Sequence, residues 1–158
     1  MAVLQWIQDL PISAAIAESD SLWWGYAWWL FVHAVGMGLT AGIGFIVCLR
    51  LLGVGPAIPL EEVKRVFPIF WVGFFINLVS GLMLFVSEAE DKATQPVFLI
   101  KLLLIAIGVV VTARMRRRLF GVGSPPMRAA SSGRTLAITS LVVWGGAIVA
   151  GRLMAYLK

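Results

Sequence analysis

Four long apolar blocks separated by short polar connections dominate the pattern of the chain: residues 22–52, 61–87, 96–118 and 135–157, each boundary approximate. Each block exceeds twenty residues, enough for a helix to cross ~30 Å of hydrocarbon at ~1.5 Å per residue. Ahead of them, residues 3–18 are apolar on one side and polar on the other, but Asp9 and Pro11 fall in the middle. That interruption excludes a span and predicts a short helix lying in the membrane interface, anchored by Trp6. Asp20 or Ser21 can cap the helix that follows. The expected fold is all-α: a single transmembrane domain over residues 1–158, an integral membrane four-helix bundle with a short N-terminal interfacial helix.

The block edges carry their own signals. The first span opens with Trp23, Trp24, Tyr26, Trp28 and Trp29, an interfacial aromatic belt, and ends near Arg50. Gly53, Gly55, Pro56 and Pro59 then break the helix. The second span begins with an amphipathic Leu60-to-Arg65 turn and contains Pro68, which predicts a bend. Glu88, Glu90 and Asp91, with the single Lys92, form an acidic connection, and Pro96 is a good first position for the third helix. Residues 121–133, with Pro125, Pro126, Ser131 and Ser132, are expected to be a loop.

Composition supports the membrane reading. Of 158 residues, 60% are hydrophobic and 13% charged, against about a quarter charged in soluble domains. The net charge of +5 does not indicate nucleic acid binding, because Arg114, Arg116, Arg117, Arg118, Arg128 and Arg134 crowd one connection. With Arg50, Lys64 and Arg65 after the first span, the positive-inside rule puts both basic connections in the cytoplasm and both termini outside. The expected location is a membrane crossed several times, a bacterial inner membrane with a periplasm outside it if the source is a Gram-negative bacterium. Cys48 is the only cysteine, so no intrachain disulfide or cysteine-held iron–sulfur cluster is available. No Lys or Arg precedes Arg50, so the basic region of a signal peptide is missing.

Against this apolar background the one histidine, His33, stands out. An ionisable group inside a span is costly and marks a functional candidate. By helical rise His33 lies roughly 15 Å below the outer surface, with Asn77 of the second span at a similar depth, Ser80 also in the outer half, and Lys101 and Arg152 ~7–8 Å deep. No acidic residue is expected at that depth, and two cations near the rim invite an anion, although each alone could extend its charge to the head groups. His33, Gly36, Met37, Thr40 and Gly44 share a helical face. Its small residues leave room for a flat ligand.

Three roles remain open for His33: a hydrogen-bonded buried histidine, a proton relay, or an axial ligand of haem b. The haem reading unites the features best, with His33 as metal ligand and the propionates turned outward to Lys101 and Arg152. Met37 sits one turn from His33 on the same helix, so Met83 is the better second ligand, unless a second subunit or nothing fills that position. Copper without haem is weaker, since Cys48 lies far from His33. Many glycines also suit close helix packing, as in Gly38-x-x-x-Gly42 and Gly73-x-x-x-Asn77-x-x-x-Gly81.

Leu4-Gln5-Trp6-Ile7, Val32-His33-Ala34-Val35-Gly36, Leu49-Arg50-Leu51-Leu52-Gly53, Phe98-Leu99-Ile100-Lys101-Leu102 and Gly151-Arg152-Leu153-Met154-Ala155-Tyr156 occur in this order. Over nearly the whole chain this resembles a bacterial family of four-span membrane proteins with no assigned activity. More distantly, the histidine in span one and the lysine opening span three are similar to the copper resistance protein D family and to the four-helix bacterial protoporphyrinogen oxidase, a b-haem protein. That resemblance implies His33 as haem ligand and Lys101 as a partner of the site. Relatives often carry a further histidine late in span three, where this chain reads Val111-Thr112-Ala113-Arg114; the departure argues against bis-histidine ligation. The leading expectation is a haem-dependent redox component or oxidase-like enzyme, served by a redox partner or quinone. The alternatives are an accessory subunit in a homo-oligomer or larger membrane complex, and a small transporter of an anionic solute.

Overall fold

The computed structural model describes residues 2–19, 21–57, 59–120 and 131–156, and every regular element among them is helical. The order is α1 (Ala2–Gln8), α2 (Pro11–Ala17), α3 (Tyr26–Leu51), α4 (Leu60–Ser87), α5 (Ala89–Ala93), α6 (Pro96–Phe120) and α7 (Ser131–Leu153). Four of them, α3, α4, α6 and α7, are long and apolar enough to cross a membrane. Their outward faces carry side chains such as Phe31, Phe75, Leu103 and Val142, all largely exposed, as a hydrocarbon solvent requires. The chain is an all-α four-helix membrane bundle, and a multi-pass one.

Several boundaries differ from those expected, each for a local reason. The segment 3–18 is two helices rather than one. Leu10 is extended (φ −63°, ψ 140°) because the residue before a proline avoids helical geometry, and Pro11 then starts α2 as a first-turn proline. The first span starts at Tyr26, not near residue 22, with Gly25 as its extended N-cap. A side chain at Gly25 would collide with the Ser19 carbonyl, and Asp20, the alternative cap, lies outside the described residues. The acidic connection contains the one-turn helix α5. Ser131, Ser132 and Gly133 belong to α7 rather than to a loop, whereas residues 121–130 and 157 lie outside the described part. The helix α4 continues through Pro68.

The end of α3 has a definite stop. Gly53 at φ 97° lets the Val54 N–H reach Leu49 O (2.9 Å) and the Gly53 N–H reach Arg50 O (3.2 Å). This pair of bonds is a Schellman cap, for which a left-handed glycine is the usual residue.

The helices pack as two tight pairs, α3 with α4 and α6 with α7, joined chiefly through α3 and α7. At the arginine-rich end, hereafter the basic end, all four helices converge on Val47, Cys48, Val63, Phe67, Met115 and Ala137. Above that core Phe70 is fully buried, with its ring 5.6 Å from that of Trp144. Towards the opposite end the two pairs separate. There α1, α2 and α5 form a cap: Ser13 donates to Val86 O (3.1 Å), and the Glu90 N–H donates to Gln8 Oε1 (3.0 Å).

Candidate functional site

The separation of the two helix pairs leaves a cavity of about 620 Å³ lined by all four spans and by Lys92 of α5. This volume is within the range of small-molecule and cofactor pockets, ~300–1,000 Å³. Aromatic rings shape it. Phe74 and Trp144 lie at its floor, where the Trp144 indole is held by donating to Thr112 Oγ1 (3.1 Å). Phe85 and Phe98 stack near the open end, with ring centroids 5.1 Å apart.

His33 comes from α3 and rests against α4. The helices touch closely here because Gly36 and Gly73 lack side chains: a Cβ on Gly36 would stand 2.6 Å from Asn77 N, and one on Gly73 would stand 2.6 Å from Leu39 Cβ. Asn77 Nδ2 donates to His33 O (2.9 Å), fixing the register at that level. The Ser80 hydroxyl, fully buried, donates to Ile76 O at 2.7 Å. Its single hydrogen being used, the Ser80 oxygen accepts from His33 Nδ1 at 3.1 Å. In the tautomer that makes this bond the proton is on Nδ1, and Nε2 keeps its lone pair. On the flank of the ring, a Cβ at Gly81 would come within 3.1 Å of Cε1, so this glycine provides the seat of the imidazole.

Lys101 reaches the same cavity from α6. Its stem lies along Gly151, where an added Cβ would meet Cε at 3.4 Å and Nζ at 3.5 Å. Its depth follows from the floor. Phe74 and Trp144 rings are 6.4 Å apart, and α4 and α7 run in the same direction. Seven residues further along each come Gly81 and Gly151, both ~10 Å above that contact. The imidazole on Gly81, from the α3–α4 pair, and the ammonium on Gly151, from the α6–α7 pair, thus line opposite walls of the cavity at about the same depth.

The open end has a different chemistry. Tyr26 donates to Glu88 Oε2 (3.1 Å), and Lys92 pairs with the same oxygen at 3.5 Å. Arg152 points outward, its guanidinium 5.9 Å from the centre of the Tyr156 ring. Lys92, Lys101 and Arg152 against Glu88 leave the lining net positive. Among the described residues, neither Lys101 nor Arg152 is paired with a carboxylate.

Six of the eight residues singled out from the sequence line this cavity: His33, Met37, Thr40, Asn77, Lys101 and Arg152. Gly36 and Met83 do not. Gly36 is consumed by the α3–α4 contact, as is Gly44 beneath Phe70 (3.4 Å), so the room above His33 comes from helix separation rather than from those glycines. Lys101 sits deeper than an outward propionate partner should, at the level of His33. The mouth cations are Arg152 and Lys92. Lys92, Glu88 and Tyr26 escaped sequence reasoning because they sit at span edges, where charge and aromatics are ordinary. Gly81 and Gly151 looked like packing residues.

Among the described residues no three His, Cys, Asp or Glu side chains gather where a bare metal ion could be held. A single imidazole suffices only for a metal that arrives already held by another ligand, as in a macrocycle. Comparison with protein-family models, curated proteins and solved structures finds no match to this chain.

Proposed function

We propose that this is a haem b-binding membrane protein whose iron is held by His33 Nε2, a redox component or oxidase-like enzyme. The observation that carries the reading is the His33 Nδ1–Ser80 bond, which leaves the other ring nitrogen as a free donor on the wall of a four-helix cavity. Histidine ligands of metals are oriented this way, by a hydrogen bond at the remaining nitrogen. The cavity suits the group in three further respects: its size, its aromatic and aliphatic lining, and a net positive rim, where Arg152 and the Glu88-paired Lys92 would meet the two propionates. When bound, haem b would supply a one-electron redox centre beside His33. The chain's own part is to orient His33, exclude water with Phe74, Phe85, Phe98 and Trp144, and neutralise the carboxylates at the rim.

The arginine distribution supports placing the basic end in the cytoplasm. The cavity then opens in the outer leaflet half, both termini face outward, and the host is a bacterial inner membrane. The kinship with the four-span family and the two haem-related families belongs to the same proposal. A test is the visible spectrum of the protein expressed with haem supply and purified in detergent. A Soret band at one haem per chain is expected; its absence contradicts the reading.

One observation favours the second reading, an accessory subunit. Added Cβ atoms at Gly38 and Gly42 would meet nothing within 4 Å, so this small-residue face is open to another helix. Co-purification of a larger complex without a chromophore in this chain would support it.

A further inference from the structure

We infer that the side of the cavity opposite His33 is a binding position for a small exogenous iron ligand, one that is anionic or accepts a hydrogen bond, and that Lys101 is the residue that receives it. The inference rests on the haem reading and deepens it, separating a ligand-binding centre from a pure electron relay.

Two observations carry it. The first is that, among the described residues, no second strong protein ligand stands across from His33. Met83 does not line the cavity, and Met37 follows His33 by one turn of the same helix. Met154 lines it three residues beyond Gly151, nearly a turn closer to the mouth than Lys101. Late in α6, Thr112 is engaged by the Trp144 indole at 3.1 Å. The second is the position of Lys101, whose Nζ stands over Gly151 on the wall facing the imidazole and, among the described residues, pairs with no carboxylate. An ammonium has three donors and no lone pair. It is suited to hold the outer atom of a ligand on the iron, not to serve as a ligand itself. In a water-poor site such a charge-assisted bond is strong.

The experiment compares wild type, Lys101→Leu and Lys101→Arg, each purified with haem in detergent, using azide for the ferric form and carbon monoxide for the ferrous form. Wild type should be high-spin and bind both. Lys101→Leu should keep its haem and its carbon monoxide affinity while azide affinity falls about tenfold or more, as for loss of a hydrogen bond to a charged group. Lys101→Arg should recover part of that loss. Equal azide affinity in wild type and Lys101→Leu overturns the inference. So does a low-spin wild type that becomes high-spin in Lys101→Leu, since Lys101 would then ligate the iron. Either result leaves His33 ligation standing, whereas a wild type that takes up no haem overturns the haem reading and this inference together.

Discussion

His33 Nδ1 and Ser80 Oγ are 3.1 Å apart, and this contact decides which nitrogen of the only histidine faces the cavity. Replacing Ser80 by Ala leaves a polar N–H without its partner away from water, at a cost of about 1–3 kcal/mol. It also frees the ring to turn. Haem affinity should fall about 10–100-fold, the usual effect of losing a partner behind a metal ligand. Titration of haem into the Ser80→Ala apoprotein, followed by absorbance, measures this; an unchanged affinity would show that Ser80 does not orient the ring.

The α3–α4 contact makes a second prediction through contrasting glycines. Gly36→Ala places a methyl 2.6 Å from Asn77 N and 3.0 Å from Gly73 O, which are backbone atoms that cannot yield without moving a helix. Overpacking of this kind costs about 1–3 kcal/mol. Gly38→Ala meets nothing within 4 Å and should leave the monomer's thermal stability in detergent unchanged or slightly raised, as alanine favours helix over glycine. Melting curves of the two variants check the pair. Comparable destabilisation in both would mean that Gly38 is packed as tightly as Gly36.

At the mouth, Lys92→Gln and Arg152→Gln should each weaken haem binding, by less than His33 substitutions and by less as salt rises. Partly exposed charges are screened within ~10 Å at 0.1 M ionic strength. Haem titrations at low and high salt would reveal the difference. Salt-independent losses would assign these residues to structure rather than to carboxylate binding.

Much of this arrangement was legible in the sequence, and the parts that were not have physical causes. The four spans could be read because a bilayer demands some twenty apolar residues in a row, a signal that no local effect blurs. His33, Asn77, Lys101 and Arg152 could be read because polar groups are rare in such runs. Periodicity places residues on a face of one helix, however, and does not say whether a neighbour fills that face. Gly36 and Gly44 were therefore assigned to open space that α4 occupies, while Gly81 and Gly151, on other helices, turned out to underlie the two key side chains. The break at Leu10 was present in the sequence as Pro11, yet an amphipathic pattern over 3–18 concealed it.

Topology gives a further prediction. Asp91 and Arg117 are exposed at opposite ends of the bundle, and Cys48 is buried. In a Cys48→Ser background, Asp91→Cys should react in intact spheroplasts with a maleimide that cannot cross membranes, and Arg117→Cys should react only after permeabilisation. The reverse pattern would place the cavity in the cytoplasmic half and overturn the orientation drawn from the arginines.

The central claim is that His33 Nε2 holds the iron, and the most direct measurement is imidazole rescue of His33→Gly. The account predicts that this variant purifies without a Soret band and regains haem when free imidazole is added to it with haem, because the cavity and its rim remain. A His33→Gly protein that keeps its full complement of haem without imidazole would contradict it.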